Sequence, residues 1–294
     1  MSANFWLSSH CNKWLVDAQQ LELSRRKDLV HGSETDINLL KILYGNFAQA
    51  MGRRMRLRQL VVATALVYFR RFYFRVDWAA CDPLLAITTC LYLSAKVEET
   101  GIIPVYSIIT QAQYVCNNEM DLIFQNAFNF TVNDVVESEF YILEELGCYL
   151  IIFHPYRPLT HYCHGLDDKQ LLTTAWFILN DSYRTDLCLQ YPPYMIALAA
   201  LYLACIMKEK QLSPKMVEWF AELNVNPEEL IEIATPILAL YETWETFSSD
   251  KQAVRDALSR IPKPERAAAA AAAAAPSTSS PALLSNSYPQ QGQK

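Results

Sequence analysis

Cys81-Asp-Pro-Leu-Leu-Ala-Ile-Thr-Thr-Cys-Leu-Tyr-Leu-Ser-Ala-Lys96-Val-Glu-Glu99 is the stretch that decides the fold class. Asp82 suits a helix N-cap, and Pro83 suits the first turn, where its missing N–H is not needed. Leu84, Ile87, Leu91 and Ala95 recur at helical spacing, while Thr89, Tyr92, Lys96 and Glu99 line a second stripe. A helix apolar over most of its circumference belongs inside a bundle, so a lysine near its end is out of place. The same helix recurs further on: at one constant offset Pro193 repeats Pro83, Leu201-Tyr-Leu203 repeats Leu91-Tyr-Leu93 and Glu209 repeats Glu99. Two long copies imply a duplicated helical domain rather than a short-period solenoid. The second copy carries Ile206 where the first has Lys96, so packing is shared and the charge is not.

The 294 residues allow two domains, and an apolar content of 52% is ample for two cores. Only seven glycines occur, none in an Asn-Gly or Asp-Gly pair, which leaves hairpins little to turn on and favours an all-α chain. A formal charge of −6 argues against coating nucleic acid as the main task. The run Arg53-Arg-Met-Arg-Leu-Arg58 is a local exception, read as a solvated helix face. Cys90, Cys148, Cys163, Cys188 and Cys205 sit in or beside apolar helical runs with no Cys-x-x-Cys pair, as free thiols acting as small hydrophobes would. No cleavable signal is visible, and the apolar run Met195 to Met207 is too short to span a membrane. The expectation is an intracellular, reduced, soluble protein.

In chain order, residues 9–27 read as one amphipathic helix with Cys11, Trp14, Leu15, Ala18 and Leu21 on a face. Ser33-Glu-Thr-Asp36 starts a helix that ends near Gly52, followed by Leu57 to Phe74 and the helix quoted above. Ser107 to Asn117 is a weaker helix, 118–130 an irregular aromatic-rich connection, and Thr131-Val-Asn-Asp134 opens a helix to Gly147. His154-Pro-Tyr-Arg-Pro158 marks a boundary, since two prolines stop helix propagation. The second half predicts helices from Asp168 to Leu187, from Pro193, from Pro214 and from Pro227, with Pro236 kinking or interrupting the last. Residues 251–260 add a turn or two. Beyond Pro262 the chain turns Pro/Ser/Gln-rich around nine alanines, 267–275, and is expected to be disordered.

Little enzyme chemistry is in view. No glycine pair has phosphate-loop or nucleophile-elbow spacing, and no two histidines lie four apart. His161-Tyr-Cys163-His164 lacks the further ligands a tetrahedral metal site needs, so no metal and no cofactor is expected. One carboxylate is misplaced instead. Glu139 falls among Val135, Val136, Ile142 and Leu143, whereas Asp134, Glu137, Glu144 and Glu145 take the wet side. Burying a lone carboxylate costs several kcal/mol, so it needs a partner, and Lys96 is the obvious one. Either the two staple their helices together, or both are left in a shared surface patch for a partner's backbone, and the second is the expectation carried forward.

A five-helix unit given twice, with Leu91-Tyr-Leu-Ser-Ala-Lys96-Val-Glu-Glu99 in its third helix and Glu139 in its fifth, resembles the cyclin box. The likeness runs over residues 1 to about 260. Asn4-Phe-Trp6, His154-Pro-Tyr-Arg-Pro-Leu159 and Asn180-Asp-Ser-Tyr-Arg-Thr-Asp-Leu-Cys-Leu189 are most similar to the C-type branch of that family. The resemblance implies an all-α chain. It divides into an N-terminal helical segment (1–32), two cyclin boxes (33–152 and 153–260) and the low-complexity tail (261–294). It also implies a regulatory subunit, not an enzyme, that binds and activates a cyclin-dependent kinase of the Mediator kinase module and regulates RNA polymerase II transcription in the nucleus. Lys96 and Glu139 would bond the kinase at the base of its αC helix, and Glu98 and Glu99 would face its basic groups. Phe5, Trp6 and Trp14 would grip it through the terminal helix. Trp176, Asn180, Asp181 and Tyr241 would form a groove between the halves for another Mediator subunit or a substrate.

The docking motif of cell-cycle cyclins is absent at Leu57-Arg58-Gln-Leu-Val61-Val-Ala-Thr64, so docking of their substrates is not expected. Two other classes compete. A general-factor-type cyclin-box protein binding promoter DNA would need a basic second half, but Arg157, Lys169 and Arg184 are scattered. A helical enzyme is disfavoured by the glycines. Sequence-specific nucleic acid and membrane are not expected partners.

Overall fold

The computed structural model describes residues 4–124, 128–164, 169–209, 214–223 and 225–261; the tail and part of the 118–130 connection lie outside them. A 3-10 turn, Phe5–Leu7, precedes α1 (Ser9–Trp14) and α2 (Ala18–Asp28). The first box comprises α3 (Glu34–Arg54), α4 (Gln59–Arg75), α5 (Pro83–Val97), α6 (Val105–Tyr114), a π-helical turn (Val115–Glu119), α7 (Asp121–Phe124) and α8 (Val132–Glu145). The second contains α9 (Tyr156–His164), α10 (Lys169–Ser182), α11 (Leu187–Gln190), α12 (Pro193–Glu209), α13 (Pro214–Glu222) and α14 (Pro227–Ser249). The last helix, α15 (Lys251–Arg260), returns to lie on α3, where Arg260 pairs with Asp36. Every described element is helical, as an all-α duplicated fold requires.

The repeated helices sit at the centres of their boxes: α5 packs on α4 and α8, and α12 on α10 and α14. Asp82 caps α5 through the N–H groups of Leu84 and Leu85, and Leu84, Ile87, Leu91 and Ala95 are all buried. Ser33 and Thr131 cap α3 and α8 as reciprocal capping boxes with Asp36 and Asp134. Under α5, Tyr73 stacks on Trp78 at 4.7 Å between ring centres, with Phe69 and Tyr44 against them. Six of the eight cysteines are buried.

Four local expectations need correction. Residues 9–27 are two helices, because Leu15 and Val16 run between them and the Val16 N–H donates to the Leu189 carbonyl, 2.8 Å away. Asp17 then caps α2. Prolines 155 and 158 do not stop a helix but begin α9, since Pro158 lies in the first turn, where N–H groups have no intrahelical partner. Pro236 does not interrupt α14, which continues for 23 residues. Within the connection expected to be irregular, residues 118–119 finish a π-helical turn and 121–124 form α7.

Candidate functional site

The two misfit charges meet. Lys96 Nζ, near the end of α5, lies 2.7 and 2.8 Å from the two carboxylate oxygens of Glu139 on α8. It also lies 4.1 Å from the centre of the Tyr92 ring. The Glu139 side chain is 12% exposed and that of Lys96 is 47% exposed, so the pair forms a rim with its ammonium side toward solvent. Burial works to lower the lysine's pKa, but hydrogen bonding and charge at Glu139, with Tyr92 adding to them, outweigh it and raise the value. The expectation that these charges wait unpaired for a partner is therefore corrected: in the isolated chain they satisfy each other. Phe140, next to Glu139 on α8, is 70% exposed, and beyond the end of α5 Ile102 in the following loop and Tyr106 at the start of α6 are also open, the first fully and the second 72%.

Glu98 and Glu99 part company at the end of α5. Glu99 takes a left-handed conformation (φ 50°) and is exposed, while the Glu98 carboxylate turns back to accept from Thr64 Oγ1 at 2.8 Å. Thr64 also contacts His154 Nε2 at 2.8 Å, and His154 Nδ1 lies 2.6 Å from the Tyr183 hydroxyl. A hydroxyl has one proton, and Thr64 gives its own to Glu98. His154 must therefore donate from Nε2 and accept from Tyr183 at Nδ1, as a neutral ring. Burial, reinforced by Arg71, lowers the His154 pKa to about 3. The same two causes and His154 itself lower His10 to about 3.

A base whose folded pKa is depressed leaves the folded chain with fewer protons than the unfolded one, so stability falls with pH between about 6.5 and 3. Going from about pH 7.5 to 5.5 is expected to cost about 1.4 kcal/mol per histidine. Urea midpoints should show this loss, roughly halved in His154→Gln. A flat profile, or an unchanged slope in the variant, would contradict the neutral pair.

The N-terminal aromatics separate in the same way. Trp6 is 58% exposed, with its ring 5.9 Å from Tyr194, and Phe5 meets Phe153 edge to face at 5.5 Å. With Arg157, His161 and Pro193 they line a surface pocket of about 490 Å³. Trp14 is not at this surface. It is 1% exposed beneath Arg71 and Arg75, whose guanidinium carbons lie 4.9 and 4.7 Å from its ring. Its expected place in a partner interface is corrected to a core anchor for the N-terminal segment.

Trp176, Asn180 and Asp181 lie on α10 and Tyr241 on α14, joined to their surroundings by hydrogen bonds and ring contacts. Tyr156 Oη and Gln59 Nε2 donate to Asn180 Oδ1 at 2.8 and 3.2 Å, and the Trp176 ring lies 4.6 Å from that of Tyr156. Tyr241 Oη donates to Asp181 Oδ2 at 3.3 Å, and Arg184 pairs with Asp181 at 3.1 Å.

Asp186 was missed at the sequence level. It accepts from Arg25 Nε at 3.0 Å and from Lys41 Nζ at 2.7 Å, and so joins the N-terminal helix, α3 and the second box. Burial would raise its pKa, but Arg25, Lys41 and Arg70 hold it well below the usual carboxylate range. Burial in turn pulls Lys41 down to about 8, against the upward effect of Asp186. No local signal marks this aspartate, whose partners lie 161 and 145 residues away.

Comparison with known proteins decides the family. The cyclin N-terminal domain matches residues 14–151, and the cyclin C-terminal domain matches 153–275. The chain is a cyclin. Its curated relatives include Cyclin-C of Rattus norvegicus, 43% identical over 90% of this chain and 92% of that one. Cyclin-C of Drosophila melanogaster is 41% identical over 90% and 98%, and Cyclin-C1-1 of rice is 36% identical over 83% and 91%. Among solved structures, the CAK complex of Chaetomium thermophilum bound to ATP-gamma-S gives a TM-score of 0.64 at 16% identity, covering 89% of this cyclin and 90% of that chain. Yeast TFIIK gives 0.60 at 23%, covering 80% and 99%. At these identities the structures speak for the fold alone. As a cyclin, the chain is a regulatory subunit and not itself a kinase.

Proposed function

We propose that this cyclin binds and activates a cyclin-dependent kinase of the Mediator kinase module and so regulates RNA polymerase II transcription in the nucleus. The observation that carries the proposal is the Lys96–Glu139 rim, with Phe140 exposed next to Glu139 on α8 and Ile102 and Tyr106 exposed on the segment that follows α5. A soluble surface rarely leaves several large apolar side chains open in one region unless a partner covers them. Internal pairing does not prevent recognition, because an ammonium has three donors and about half of the Lys96 side chain is exposed. A kinase carbonyl near the base of its αC helix can bond Nζ while Glu139 stays satisfied, holding that helix inward so that the kinase's own Lys–Glu pair forms.

Phe5 and Trp6 serve as a second contact, and Glu99, exposed at the same end of α5, faces the kinase's basic groups. Glu98 is engaged inward by Thr64 and acts by holding that helix end. The groove at Trp176, Asn180, Asp181 and Tyr241 takes another Mediator subunit. Similarity to the Cyclin-C relatives supports the choice of kinase class. The test is reconstitution: the purified chain is mixed with the kinase of the Mediator module, a cell-cycle kinase as control, and a polymerase carboxy-terminal-domain peptide as substrate. Activation of the first kinase alone is expected. No activation of it, or equal activation of both, would overturn the proposal.

A further inference from the structure

The arginine run at the end of α3 is not spent on the fold. Arg53, Arg54 and Arg56 are all exposed. Arg53 approaches only Glu119, at 3.9 Å, a weak contact with 71% of the arginine side chain open. Arg54 is held in place: its guanidinium lies flat over the Tyr114 ring, 3.4 Å from the centre, and its Nε donates to Gln111 at 2.7 Å. Among the described residues the Arg56 side chain has no polar partner. It occupies the left-handed position (φ 53°) that closes α3, where the Arg56 N–H bonds to the Arg53 carbonyl and the Leu57 N–H to that of Gly52. Glycine normally fills this position because a side chain is unfavourable there. An arginine in its place accepts conformational strain and presents an unpaired cation to solvent, and such strain tends to gather at functional sites. A second irregularity borders it, the π-helical turn Val115–Glu119 directly after Tyr114.

We propose that this ridge, formed by Arg53, Arg54 and Arg56 with Tyr114 beside them, is a docking surface for an acidic peptide segment of a partner protein. The guanidinium groups take carboxylate or phosphate oxygens. Charge complementarity is the reason for this choice. Three arginines along one helix end match a short run of oxyanions, and planar guanidinium groups grip such oxyanions two bonds at a time. A nucleic-acid track would need a longer basic face, whereas Glu119 stands beside this one in a chain of net charge −6.

The test uses the full chain and three labelled probes in fluorescence anisotropy at low and moderate salt. These are a twelve-residue Asp/Glu peptide, the same length with phosphoserines, and a single-stranded oligonucleotide of equal charge. The variant is Arg53→Gln with Arg56→Gly, since glycine relieves the strain at position 56 and the helix end is kept. Expected are salt-sensitive binding of a peptide probe, about tenfold weaker binding by the variant, and a melting temperature no lower than the parent's. Preference for the phosphoserine or the carboxylate peptide identifies which oxyanion is read. Absence of peptide binding, equal binding by the variant, or tighter binding of the oligonucleotide than of either peptide would overturn the proposal.

Discussion

Lys96→Ile, which copies into the first box the residue found in the second, is expected to weaken the kinase complex about tenfold to a hundredfold while the chain still folds. The magnitude follows from losing one charged hydrogen bond across an interface, about 1.5–3 kcal/mol. Within the free chain the cost is smaller. It leaves Glu139, 12% exposed, without its ammonium, and an unsatisfied buried acceptor costs about 1–3 kcal/mol. For a chain of this size that is a fall of a few degrees in melting temperature. Glu139→Gln separates the two effects, since an amide keeps a hydrogen-bond acceptor for Lys96 without the charge. It should spare stability more than kinase activation. Titration calorimetry with the kinase and thermal melts of the free chain give the two numbers. A loss of stability that fully accounts for the loss of binding would make the pair a staple between helices and nothing more. Coupling in a double-mutant cycle that appears only with kinase present supports the shared contact.

Asp186→Ala is expected to be the most damaging single substitution for the fold, at about 3–5 kcal/mol. It leaves Arg25 and Lys41 without their carboxylate, next to Arg70, which is 2% exposed and among the described residues is bonded to the carbonyls of Lys41, Tyr183 and Arg184. Three cations in one desolvated site repel each other, and only Asp28 remains to meet Arg25. A domain's whole stability is about 5–15 kcal/mol, so a large drop in the urea midpoint and partial loss of soluble protein are expected. Lys41→Met in the Asp186→Ala background removes one of the stranded charges and should recover part of the loss. A parental urea midpoint for Asp186→Ala would show that the cluster is not what ties the N-terminal helix to the boxes.

Much of this could be read along the chain. The caps at Asp82, Ser33, Thr131 and Asn226 are local events, in which a side chain bonds N–H groups two or three residues on, and all of them form. The buried faces of α5 and α12 follow from apolar spacing, and the duplication follows from their likeness. That Lys96 and Glu139 belong to one site was legible because each breaks the pattern of an otherwise apolar helix, but that they bond each other was not the expectation and came from the approach of α8 to α5.

The rest was settled by contacts between distant segments. Helical periodicity runs without a break through residues 9–27, yet the Val16 N–H is taken by the Leu189 carbonyl and the helix is cut there. Trp14 has the same composition and spacing as a partner-facing aromatic, and only the approach of Arg71 and Arg75 from α4 buries it. Glu98 and Glu99 are identical neighbours whose roles divide at a helix end: the first is drawn inward by Thr64, the second is turned outward by a left-handed backbone. By itself the sequence determined which helices form and which faces they bury, because capping and periodicity act within a few residues. Which charges stay open to a partner was decided by tertiary structure alone, because a charge is neutralised by whatever the fold brings within about 3 Å, and that neighbour can lie more than a hundred residues away.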